Sequence, residues 1–134
     1  MEEYINEEAY ELSLGQKQRV TIAGVISIKP KYIVMDEPTA MLDSEGKETV
    51  YSIVRRLKEE GYTIIYITNV MDEIFFSNRV IIMEAGKIVK EFQPTKIMEN
   101  VEYIKSKGLQ IPPKIQILLK LQEKNINIKL DDIL

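Results

Sequence analysis

The chain contains no cysteine and no histidine in 134 residues. The first absence excludes disulfides, thiolate metal sites and cysteine nucleophiles. The second removes imidazole as general base, metal ligand or member of a Ser-His-Asp triad. No apolar run approaches the roughly 18 residues needed to span a bilayer, and Met1 is followed by acids rather than by the basic start of a signal peptide. A cytoplasmic protein is expected. Nor is there a strongly basic face for nucleic acid, because the net charge is −3. Acids crowd the beginning of the chain, at Glu2, Glu3, Glu7, Glu8 and Glu11. Beyond Ala85 lysines exceed acids, spread along helices as solvated faces. What remains, 45% hydrophobic and 29% charged residues, is ordinary globular composition for one modest domain or part of a larger one.

Ser13 and Gln16 stand at the S-x-x-Q spacing of a capping box, which predicts a helix from there to before Pro30. Tyr32 to Asp36 is a continuous apolar run ending in an acid, the pattern of a strand covered on both faces. Ser44 is placed to cap a second helix, with Val50, Ile53, Val54 and Leu57 at helical spacing and Gly61 closing it. Thr63 to Thr68 is a second isoleucine-rich strand, and a short helix is expected over Val70 to Ser77. Arg79–Glu84 and Lys87–Phe92 flank Ala85-Gly86 as a hairpin. Two helical patterns follow, about Thr95–Lys107 and Pro113–Lys124. The alternation of strand and helix predicts an α/β fold with a parallel sheet and a smaller helical extension.

Two segments are able to carry chemistry. The helix opening at Ser13 offers unpaired N–H groups and the positive end of the helix dipole, both suited to phosphate. Gly15 removes a side chain that would hold an anion away, and Ser13 adds a hydroxyl. An ordinary capped helix explains the same residues equally well. Asp36 and Glu37 lie at the carboxyl end of a strand, where open α/β sheets bind ligands. Asp36 suits Mg²⁺ held through water, and Glu37 suits positioning or deprotonating an attacking water. Two solvated acids before the turn-forming Pro38 would leave the same trace.

Order and combination separate these readings. Leu12-Ser13-x-Gly15-Gln16-Lys17-Gln18-Arg19, then Ile33-Val34-Met35-Asp36-Glu37-Pro38-Thr39, then Met41-Leu42-Asp43, strongly resembles the ATP-binding-cassette (ABC) ATPases. The resemblance implies that Ser13 to Gln16 are the signature motif, Asp36 and Glu37 the Walker B strand end, and Leu42-Asp43 the loop that crosses a dimer interface. The fold it implies is the C-terminal part of a P-loop NTPase sheet with flanking helices, over residues 1–93, followed by a helical extension over 94–134. Ile111-Pro112-Pro113 leading into a lysine-spaced helix is similar to the energy-coupling-factor branch, which serves cobalt and vitamin uptake.

The resemblance further implies ATP and Mg²⁺ as cofactors, with Ser13, Gly15, Gln16 and Asp43 as ATP-binding residues. It assigns Asp36 to Mg²⁺ and Glu37 to catalysis. It implies a second ABC ATPase subunit in a head-to-tail dimer and membrane-embedded transporter subunits as partners, at the inner face of the cell membrane.

The sequence departs from the family at three places. Leu14 stands where the signature usually has glycine. Asn69, in Thr68-Asn69-x-x-Asp72-Glu73, stands where the switch segment has histidine. Asn69 can donate a neutral hydrogen bond but carries no imidazolium charge, and a strand-end turn residue is its other reading. Finally, the phosphate-binding loop G-x-x-x-x-G-K-[ST] occurs nowhere in this sequence. In the family it precedes the signature, so roughly the first half of a subunit is expected to be missing, and the chain alone is expected to be inactive. A catalytically silent module that supplies the signature to another subunit is the alternative.

Overall fold

The computed structural model describes residues 8, 10–126, 128 and 130. By packing it separates into two compact units, residues 1–68 and 69–134. The expected division lies at residue 93.

The first unit runs α1 (Leu14–Ser27), β1 (Tyr32–Asp36), α2 (Ser44–Glu59) and β2 (Thr63–Ile67). The capping box read from the spacing forms: the Gln16 amide donates to Ser13 Oγ at 3.3 Å, and the Ser13 amide donates to Gln16 Oε1 at 2.6 Å. Helix α2 differs in one detail. Its N-cap is Asp43 rather than Ser44, with the Asp43 carboxylate accepting from the Gly46 amide at 2.8 Å. A carboxylate there meets both the unpaired amides and the helix dipole. Gly61, at φ +87°, then ends the helix by turning the chain into the left-handed region.

Strands β1 and β2 pair in parallel, with Val34 opposite Ile65 and Asp36 opposite Ile67. The connection through α2 is the crossover that parallel strands require. Ile33 and Met35 point to the side of the helices, where they pack with Ile22 of α1 and Val50, Val54 and Leu57 of α2. The expectation of a strand covered on both faces is not met. Tyr32, Val34, Ile65 and Ile67 are exposed on the opposite face, because the described residues supply a layer on one side only.

In the second unit, the short helix expected over Val70 to Ser77 is a 3₁₀ helix, Met71–Phe76. Strands β3 (Val80–Glu84) and β4 (Lys87–Phe92) form the antiparallel hairpin. Its two-residue turn, Ala85-Gly86, has positive φ at both positions, as a type I′ connection demands. Helices α3 (Ile97–Ser106) and α4 (Pro113–Glu123) follow. Pro113 opens α4 at the position where a missing N–H costs nothing. Ile74, Ile82, Phe92, Ile97, Val101, Ile104, Ile111 and Ile115 form the core of this unit.

Candidate functional site

Helix α1 and the segment leading into α2 enclose an open cleft of about 390 Å³. Ser13, Gly15 and Arg19 line one side; Met41, Leu42, Asp43 and Thr49 line the other. Three of the residues picked out from the sequence, Ser13, Gly15 and Asp43, are thus brought to one cavity. Gln16 is not among its lining residues, since its side chain folds back on the Ser13 amide. Neither are Asp36 and Glu37, at the mouth of the sheet, or Asn69, which is exposed in the second unit.

Two glycines in α1 carry information. A Cβ built at Gly15 or Gly24 meets nothing within 4 Å. Glycine costs helix stability of roughly 0.5–1 kcal/mol relative to alanine, so packing among the described residues does not account for either. Gly15 lies on the cleft wall, where the absence of a side chain keeps the first-turn amides approachable. Gly46 is a different case. Its Cβ would stand 3.0 Å from Asp43 Oδ1 and 3.2 Å from Leu42 Cβ, so the cap and the preceding turn require it.

Arg19 closes the Leu12–Arg19 run that carries the family resemblance, although the sequence gives it no role of its own. Its Nε is buried and makes no hydrogen bond, while the side chain lines the cleft. Its position in that run does not reveal the burial of its Nε, which only the structure shows.

At the end of β1 the backbone turns sharply. Glu37 has φ +44° and Met41 φ +62°, left-handed values that cost a non-glycine residue about 1–2 kcal/mol. The Glu37 amide donates to the Ile67 carbonyl at 2.8 Å and the Ala40 amide to the Glu37 carbonyl at 3.0 Å, which fixes the strained loop on the sheet. Strain of this kind concentrates at functional loops. Asp36 is exposed at the strand terminus.

The donor set does not fit a self-contained Mg²⁺ site. Among the described residues no three acids cluster in a way that would hold a metal ion. Mg²⁺ keeps waters and takes one or two carboxylates together with substrate phosphates. Asp36 supplies a carboxylate, and the phosphate-wrapping loop is not in this sequence.

A parallel β-α-β unit with Ser13–Gln16 at a helix start and Asp36-Glu37 at a strand end defines part of a P-loop cassette. Residues 1–40 match the ABC transporter family. Over 132 residues the chain is 45% identical to EcfA1 of Caldanaerobacter subterraneus subsp. tengcongensis, an energy-coupling factor transporter ATP-binding protein, covering 98% of this chain and 48% of that protein. It is 36% identical over 128 residues to EcfA2 of Streptococcus agalactiae, with 95% and 46% covered.

Among solved structures it superposes on cbiO1 of Clostridium perfringens, described as part of the ABC transporter complex cbiONQ, with a TM-score of 0.68 and 32% identity over 90% of this chain and 48% of that one. A nucleotide-free ATP-binding cassette gives a TM-score of 0.68 at 28% identity, over 76% and 41%.

The chain belongs to the ABC transporter ATPases. Within that family its sequence matches the ATP-binding proteins of energy-coupling-factor transporters, and it spans about half the length of these curated relatives. Among the described residues no helix is long and apolar enough to cross a membrane.

Proposed function

We propose that the chain is part of an ATP-binding subunit that energises an energy-coupling-factor transporter, and that it supplies Ser13, Gly15 and Asp43 to an ATP held by a partner subunit. The single observation that carries this reading is the convergence of those three residues on one cleft in a chain 45% identical to such an ATP-binding protein. The Ser13 end of α1 offers amides and a hydroxyl to a phosphate that another polypeptide holds from its far side. The roles of Glu37 in positioning water, of Asn69 at the switch position and of Asp36 beside Mg²⁺ belong to the chain's own nucleotide site. That site needs a phosphate-binding loop to be complete. Residues 1–93 are then cassette and 94–134 extension. The partners are a second ATPase subunit, head to tail, and membrane-embedded subunits at the inner face of the cell membrane.

For the 134 residues by themselves this means no hydrolysis. Without loop amides and a loop lysine the triphosphate has no cradle. The silent-module alternative draws on the same absent loop and on Asn69 in place of an imidazole. Isothermal titration of the purified chain with Mg-ATP tests the proposal. No heat of binding in the micromolar range is expected, and micromolar affinity overturns it.

A further inference from the structure

Neither packing nor backbone conformation explains a methionine at position 41. Its side chain is 91% exposed, more than any other large apolar side chain among the described residues, so it fills no part of a core. Its φ of +62° lies in the left-handed region, where glycine or asparagine is less strained. The turn around it is nonetheless fixed. The Ala40 amide donates to the Glu37 carbonyl at 3.0 Å, and the Leu42 amide donates to the Thr39 carbonyl at 3.2 Å. The thioether is thereby carried on the wall of the cleft that Ser13, Gly15 and Asp43 also line. What methionine brings to such a place, and leucine does not, is a polarisable sulfur that an oxidant can reach.

We propose that Met41 is a reversible oxidation site that regulates this cleft. The oxidant is a hydroperoxide, of which hydrogen peroxide is the simplest. A sulfur lone pair attacks one peroxide oxygen, and the O–O bond breaks as the S–O bond forms. The proton on the transferred oxygen passes to the departing hydroxide and gives water. Sulfur loses two electrons and the peroxide gains them. The product, methionine sulfoxide, puts a strong hydrogen-bond acceptor with negative charge on its oxygen where an apolar group stood. On the cleft wall that oxygen opposes an incoming phosphate, and a partner surface closing over it would have to desolvate the acceptor. The regulatory consequence rests on the reading that the cleft receives a partner's ATP; the oxidation itself does not. Two other methionines set the comparison. Met35 is buried under the helices, and Met83, 63% exposed on β3, is not among the residues that line the cleft.

The test exposes the full 134-residue chain to hydrogen peroxide, removes the oxidant with catalase and maps the sulfoxides by peptide mass spectrometry. Met41 should react in the folded chain at within about twofold of its rate in urea, and Met35 about tenfold or more slower than in urea, because susceptibility follows exposure. Chain oxidised at Met41 but not at Met35 should melt at the temperature of untreated chain. Methionine sulfoxide reductases of both stereospecificities should return Met41 to the thioether. The consequence is read by mixing treated or untreated chain with Streptococcus agalactiae EcfA2 and Mg-ATP and following association by sedimentation. Oxidation should weaken the ATP-dependent association by about tenfold, and the reductases should restore it. Met41→Leu should lose this response to peroxide, and Met83→Leu should keep it. Three results overturn the proposal: a Met41 protected tenfold or more by folding, a melting temperature lowered by its sulfoxide, or an association that oxidation leaves unchanged. Absence of any association between untreated chain and ATP-loaded EcfA2 counts against the functional reading and takes the regulation with it. A Met41 that oxidises freely and reversibly in the folded chain then still stands as a modification site.

Discussion

The carboxylate of Asp43 and the backbone of Gly46 are fitted to one another: Oδ1 accepts from the amide at 2.8 Å, and a methyl group on the glycine would stand 3.0 Å from that same oxygen. The close approach also involves Leu42, whose Cβ would be 3.2 Å away. Cap and turn are therefore one structure, on the wall of the cleft that also holds Ser13.

This fit predicts that the glycines of the first unit respond oppositely to alanine. In an unobstructed helix interior the substitution gains up to about 1 kcal/mol. Gly24→Ala should show that gain, since its Cβ enters open space. Gly46→Ala has to displace the Asp43 cap, which is worth about 1 kcal/mol, and press on Leu42 as well. A net loss of about 1 kcal/mol is expected. Urea denaturation of the two variants checks the pair, and an increase in stability for Gly46→Ala would refute the account of the cap.

Much of this architecture is legible in the sequence because local rules act through few residues. Ser13 and Gln16 fix the start of α1 by reciprocal hydrogen bonds that their spacing announces. Ala85-Gly86 announces the hairpin turn in the same way. The features that escape are those set by what lies next to a residue in space. Asp43 and Ser44 are both residue types that suit a helix cap, and it is the aspartate whose carboxylate accepts from the Gly46 amide. The burial of Arg19 Nε cannot be read from its place in the Leu12–Arg19 run.

The instructive difference is β1. Its apolar run is written for burial on both faces, yet only Ile33 and Met35 are covered. A strand pattern records burial on both faces, and the four exposed apolar side chains of β1 and β2 mark the side on which the described residues supply no covering layer. The same logic applies to the site. Ser13, Gly15 and Asp43 converge on one cleft, whereas Asp36 and Glu37 are not among its lining residues.

Helix α4 gives a prediction about the second unit. Ile115 is fully buried in its core, whereas Ile117, two residues on, is 57% exposed. Two positions along a helix turn the side chain through about 200° and so to the opposite side. Ile115→Ala should cost about 2–5 kcal/mol through lost transfer energy and the cavity left behind. Ile117→Ala should stay within about 0.5 kcal/mol. Chemical denaturation followed by circular dichroism distinguishes the two. Equal effects would mean that α4 does not present Ile115 to this core.

The ammonium of Lys107, at the end of α3, donates to Glu84 Oε2 at 2.7 Å, tying the helix to the tip of the hairpin across 23 residues of sequence. The same ammonium lies 5.7 Å from the centre of the Tyr103 ring. The hydrogen bond to Glu84 raises the Lys107 pKa above its ordinary 10.5, with desolvation opposing it and the charge of Glu84 adding to it. Because the folded-state pKa exceeds the unfolded one, folding is favoured by the protonated form. The stabilisation is fully present below pH 10.5 and is lost as pH rises through the folded-state value. Lys107→Met keeps the aliphatic stem while removing the charge. The variant should be less stable than the parent by a small, pH-independent margin approaching pH 10 from the neutral side, as befits a largely exposed pair. Above 10.5 that margin should close. Thermal melts of parent and variant over this interval measure it, and a margin that persists unchanged at higher pH would show that Lys107 acts through packing rather than through its bond to Glu84.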